Sequence, residues 1–263
     1  MRFTTGLIFF FFLYSGCVYG AEVSTTLWQI NKSTHFIVYY QEAPQEYIDE
    51  VIAQAEGYYN TITEKLGFTR YKDFWTWQKR TKIYLFRDKK EYHRVTSQPQ
   101  WSGGSSRVIT REIYTYVRMD NFFNTILPHE LGHIIFREFI GYGRRLPLWV
   151  DEGVATYCEK GETQDGLLLT RAIAKTIFFM DLKELGGINR ANLIMPEIFY
   201  AEAASVIEFL IKAYGREKFA DFCHALKELR EDQSWEAALV DVYHFNSLQE
   251  MNDAWIKFLF TNS

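Results

Sequence analysis

The chain has 263 residues, 48% of them hydrophobic and 24% charged, with a net charge of −4. That balance describes a globular chain long enough for one substantial core or two packed subdomains. Lysine and arginine are scattered among the acids without a basic run or stripe, so nucleic acid is not an expected partner.

The first residues differ from the rest. Arg2 precedes a short apolar run, Gly6 to Tyr14, and small or polar residues follow. This is the pattern of a secretory signal peptide over 1–20, cleaved after Gly20, because the apolar run falls short of the roughly 20 residues a spanning helix needs. The mature chain is expected to be exported, to the periplasm or the extracellular medium. Ser15-Gly16-Cys17 resembles the end of a lipobox, so a membrane tether arises only if Cys17 is lipidated; an uncleaved anchor is the other alternative. Without Cys17, only Cys158 and Cys223 remain, compatible with a disulfide in an exported compartment or with two separate packed thiols.

In chain order, Thr34–Gln41 and Thr81–Arg87 are rich in β-branched and aromatic residues and are predicted strands. Between them, Gln45–Leu66 carries Ile48, Val51, Ile52, Ala55, Tyr59 and Ile62 at helical spacing, with Gly67 as the stop. Asp88 is positioned to cap a short helix containing Tyr92 and Val95. Residues 97–107 read as a polar loop, and Val108–Val117 as a third strand, the one expected beside the site described next. Beyond Asp120 the pattern is helical to the end. Its helices include 199–214, 216–229 and a last one opened by the capping box Ser247 and Glu250. The expected organisation is an α/β half over 21–146 and a helical half over 147–263.

At the junction stands PHELGHIIFREFIGYGRRLPLWVDEGVATYCEK, residues 128–160. His129 and His133, four apart on a helix, project from one face and can reach a single zinc ion. Glu130 lies beside the metal without having to ligate it, placed to act as general base toward a metal-activated water. A bare HExxH arises by chance in roughly one chain of this length in a hundred. A carboxylate buried beside two imidazoles, however, needs a compensating charge, and a zinc ion supplies one. Pro128 fits a first turn, with Thr125 as cap. Gly132 allows another segment to approach. A third ligand is expected from the predicted helix Leu148–Glu159. There Asp151 and Glu152 point about 100° apart, and spacing alone does not choose between them.

His129-Glu130-Leu131-Gly132-His133, eighteen intervening residues and then Glu152 resembles the HExxH-x18-E pattern of gluzincin metallopeptidases. LPLWVDEGVATY with the later FYAEAASVIEFLIKAYG is similar to the peptidase MA-like family within them. The resemblance covers roughly 34–260, with its specific part at 125–160. It implies a zincin-like α+β fold, one Zn2+ per chain held by His129, His133 and Glu152, Glu130 as catalytic base, and a peptide or protein substrate. It also implies an oxyanion donor, for which Tyr200 is the candidate, with core packing as its other reading, and an exposed edge strand that pairs with substrate, for which 108–117 is the candidate, with an interior strand as its other reading. The glycines at 103–104 would let the preceding loop approach closely. Asp151 carries over only as a neighbour behind the ligands or as a solvated helix residue. Thermolysin-like gluzincins have an aspartate four residues after the third ligand, where this chain has Thr156. Glu159 shares a similar face but reads as solvent-facing. Two other readings stand beside this one: an envelope binding module with structural zinc, and a metallohydrolase acting on a non-peptide bond.

Overall fold

The structure, a computed structural model, describes residues 27–70, 79–160, 162–230 and 233–261. The predicted signal segment and Cys17 lie outside these residues. Strands β1 (Gln29–Lys32) and β2 (Phe36–Tyr40) lead into helix α1 (Gln45–Lys65); β3 (Thr81–Phe86), α2 (Lys89–Thr96), β4 (Gly104–Arg107) and β5 (Glu112–Tyr116) follow. The remaining elements are helices: α3 (Leu127–Ile140), α4 (Leu148–Cys158), α5 (Glu162–Ile173), α6 (Leu182–Gly187), α7 (Pro196–Tyr214), α8 (Arg216–Glu228), α9 (Trp235–Tyr243) and α10 (Leu248–Thr261). The fold is mixed α/β with a small five-stranded sheet, and it is helical beyond the junction, as the pattern predicts. Among the described residues no helix is long and apolar enough to cross a membrane.

The sheet order is β1-β2-β3-β5-β4, parallel through β2, β3 and β5 and antiparallel at both ends. Alternation decides which face is covered. Phe36, Val38, Ile83, Leu85 and Ile113 are fully buried, whereas Ile37, Tyr39 and Tyr84 are half-buried on the opposite face. α1 packs against β2 and α3, burying Ile48, Val51, Ala55, Tyr58 and Ile62 at helical spacing. One apolar core joins these residues to Trp149, Phe199, Leu226 and Trp255 of the helical half.

Four expectations are corrected. Part of the expected loop 97–107 is strand β4, because its backbone pairs in register with β5, Gly104 opposite Thr115 and Arg107 opposite Glu112. The predicted strand 108–117 shrinks to Glu112–Tyr116, since Arg111 turns into the left-handed region at φ 54° to close the hairpin. β5 is also an interior strand, so the strand at the sheet edge near α3 is β4. Finally, Thr125 is not a cap: Phe122–Ile126 form a π-helical turn that runs directly into α3, with Pro128 in the first turn as expected. The glycines do serve a close approach, because a Cβ at Gly104 would stand 2.5 Å from Ile126 Cγ2. Asp88 caps α2 through its bond from the Glu91 N–H, and Ser247 accepts from Glu250 N–H at the start of α10.

α7 carries a buried acid. Glu202 is 0% exposed; its Oε1 accepts from Met180 N–H at 3.1 Å, and its Oε2 makes no hydrogen bond. Burial lifts its pKa from 4.5 to about 8, against the lowering effect of the Met180 bond. A carboxyl with a raised folded-state pKa holds its proton more tightly folded than unfolded. Its stability contribution is therefore whole below about pH 4.5 and drains away as pH rises toward 8. Glu202→Gln keeps the acceptor for Met180 and removes the ionisation. Thermal unfolding should show a gain of several degrees at pH 8.5 and little change at pH 4.5. An equal shift at both pH values would contradict this account.

Candidate metal centre

α3 is buried along almost its whole length, and His129, Glu130 and His133 are each no more than 2% exposed. Two glycines let its neighbours close in. A Cβ on Gly132 would stand 3.0 Å from Ala155 Cα and 3.3 Å from Cys158 Sγ, so α3 and α4 touch backbone to side chain at this point. A Cβ on Gly153 would fall 2.6 Å from the Ala203 carbonyl oxygen, so α4 is pressed equally hard against α7. This double contact carries Glu152, fully buried, up to the histidines.

Glu152 Oε2 lies 3.4 Å from His133 Nε2 and 3.8 Å from His129 Nε2, and the two imidazoles meet edge to face at 4.9 Å. The donor atoms of His129, His133 and Glu152 all lie within 4.8 Å of one another, a group that could hold a metal ion. Of the two adjacent carboxylates, Glu152 is the one that turns inward. His133 Nε2, Glu152 Oε2 and the neighbouring Glu130 Oε2 are buried without a hydrogen bond. Such atoms are costly unless a further partner completes them, and a divalent cation fits the donor set.

The opposite nitrogens are held by carboxylates. His129 Nδ1 donates to Glu159 Oε1 at 2.6 Å, and His133 Nδ1 lies 3.4 Å from Asp151 Oδ1. Arg137 clamps Asp151 with two bonds of 3.1 and 3.0 Å and ties it to the Arg144 carbonyl. These contacts hold the Nδ1 sides of both rings and leave the Nε2 atoms facing the cation position. One sequence reading changes here. Glu159 is not solvent-facing but 8% exposed, and it does the orienting work that the residue at Thr156 does not. Of its two readings, Asp151 takes that of a neighbour behind the ligands, because packing of α4 on α3 sets it against Arg137 and His133.

Charge is unevenly held. Burial and the neighbouring His133 pull His129 down to about 4. Burial opposes protonation of His133 as well, but Glu152 and Asp151 outweigh it and raise its pKa to about 10. Glu152 and Asp151 are pulled below the usual carboxylate range by His133, against their own burial. A proton on His133 thus balances the acids, and a cation entering the site would displace it. Glu130 moves the other way: burial raises its pKa, partly offset by the two histidines and the Ser106 hydroxyl of β4.

Tyr200, in the second turn of α7, is half-buried beside this cluster; burial and then the charge of Glu152 raise its pKa, so its hydroxyl stays protonated. Among the described residues the remaining histidines stay outside the group: His35, for instance, pairs with Glu56 at 2.6 Å. Cys158 and Cys223 are both buried free thiols. Sequence reading missed Arg190, whose Nη2 donates to Glu152 Oε1 at 3.0 Å. Nothing in its polar loop pointed to a partner 38 residues away. Glu159 did leave a signal, since seven residues after Glu152 is close to two full turns on the same face.

Two packed helices that converge two imidazoles and one carboxylate, with a second carboxylate alongside, define a candidate metal site of HExxH type. The family model of the peptidase MA superfamily matches residues 73–261, well over half the chain, and the chain belongs to that superfamily. Its function is accordingly of the metallopeptidase kind. No curated protein matches the chain.

Proposed function

We propose that the chain is an exported zinc metallopeptidase of gluzincin type that hydrolyses peptide bonds, with one Zn2+ on His129, His133 and Glu152. The observation that carries this reading is the convergence of the buried His129, His133 and Glu152 donor atoms, with His133 Nε2 and Glu152 Oε2 lacking a hydrogen bond beside Glu130 Oε2, which also lacks one. When bound, zinc would polarise the scissile carbonyl and lower the pKa of the attacking water. Glu130 accepts that water's proton and delivers it to the leaving amine; its raised pKa suits a base that must also release the proton. Tyr200, held protonated, donates its hydroxyl to the developing oxyanion. β4, at the end of the sheet order and beside α3, is the strand with which an extended substrate would pair.

The test uses mature protein collected from the exported fraction, starting at Ala21 and carrying zinc in a ratio near one per chain. Its cleavage of casein or a peptide library should vanish on chelation and return with added zinc. Cleavage that persists in metal-depleted protein would overturn the reading.

A further inference from the structure

Glu152 has two oxygens, and they are treated differently. Oε2 faces the histidine nitrogens, 3.4 and 3.8 Å away, and makes no hydrogen bond. Oε1 is taken by Arg190 Nη2 at 3.0 Å. A carboxylate with both oxygens free can turn about its terminal torsion and swing away from the histidine nitrogens, so it would no longer be preset for a cation.

The arginine is itself held. It sits in the short connection between α6 and α7, within a turn that the flanking asparagines lock. Asn189 Oδ1 accepts from Ala191 N–H at 2.9 Å, and Asn192 Oδ1 accepts from Asn189 N–H at 2.6 Å. Asn192 N–H returns to the Asn189 carbonyl at 3.2 Å, and Asn192 Nδ2 reaches the Gly187 carbonyl at 3.2 Å. α6, which carries this turn, is tied down by its own capping box and by the bond from Leu182 N–H to Asn252 Oδ1 of α10. A solvated surface arginine needs no such frame.

We infer that Arg190 is a positioning residue that holds Glu152 Oε2 toward the histidine nitrogens and so sets how tightly the metal is held. This rests on the reading of the site as a zinc centre. The guanidinium's charge works in the opposite sense, repelling a dication. Arg190 is 34% exposed, so water screens that repulsion, while the hydrogen bond to a fully buried oxygen is not screened in the same way.

The experiment measures the zinc dissociation constant of the full mature chain by competition with a chromophoric chelator, alongside thermal unfolding of the metal-free protein. Arg190→Ala should weaken zinc about 10–100-fold, the usual effect of losing a partner behind a ligand. Arg190→Lys, which keeps one donor and the charge, should recover part of it. Asn192→Ala, which loosens the turn but leaves the arginine in place, should weaken zinc in the same direction by less. It decides the matter if Arg190→Ala folds poorly. Unchanged or tighter zinc binding in Arg190→Ala, or unchanged binding in Asn192→Ala, overturns the inference while leaving the zinc centre standing. Wild-type protein that binds no zinc overturns both.

Discussion

Glu130→Gln is expected to keep a full complement of zinc and to lower peptide hydrolysis by about 10³-fold or more, the loss typical of a removed general base at a site of this kind. Glutamine has the shape of glutamate but cannot take up the water's proton. Stability should not fall with activity. Glu130 is 1% exposed and its Oε2 lacks a hydrogen bond, so the variant relieves a buried charge instead of breaking a contact. The contrast is His133→Ala, which removes a ligand and strands the Asp151–Arg137 pair behind it. That variant should lose the metal. Turnover of a fluorogenic peptide, read beside the zinc-to-protein ratio, separates the two cases. Near wild-type turnover in Glu130→Gln would sink the base assignment, and full zinc in His133→Ala would sink the ligand assignment.

Gly153→Ala should be the most damaging of the small substitutions. In an isolated helix, alanine in place of glycine gains about 1 kcal/mol. Here the added methyl would meet backbone, 2.6 Å from the Ala203 oxygen and 2.8 Å from its carbon, with Ile207 Cγ1 at 3.1 Å. Carbonyl groups inside α7 cannot swing aside as a side-chain tip can, so the two helices must part. Overpacking of that kind costs about 1–3 kcal/mol and sometimes more. The clash should outweigh the propensity gain, lowering the thermal midpoint by several degrees. Because Glu152 is the adjacent residue, zinc affinity should fall as well. A midpoint raised by the substitution would show that helix propensity wins and that α4 and α7 are not in backbone contact.

Most of the secondary structure followed from periodicity, and the misses have physical causes. Ser105 and Ser106 have no apolar alternation to announce a strand; β4 exists because β5 offers it a hydrogen-bonding partner. β1 escaped notice for a related reason: Gln29–Lys32 is largely exposed and is held by its pairing with β2. Among the helices, α5, α6 and α9 were covered only by the general expectation of a helical second half. The π-helical turn ahead of α3 leaves no mark that a helical pattern would not also leave.

At the site, the chain's own order was enough to put His129 and His133 on one face with Glu130 beside them, since four residues along a helix fix relative direction whatever surrounds it. It was also enough to limit the third donor to a neighbouring pair, Asp151 and Glu152. Packing decided the rest. Gly132 and Gly153 set how closely three helices stack, and that spacing turned Glu152 inward and gave Asp151 to Arg137. It also buried Glu159 against His129 and brought Arg190 across from a distant turn. Contacts of this kind join residues on different elements, and their geometry comes from how the elements pack rather than from spacing along any one of them.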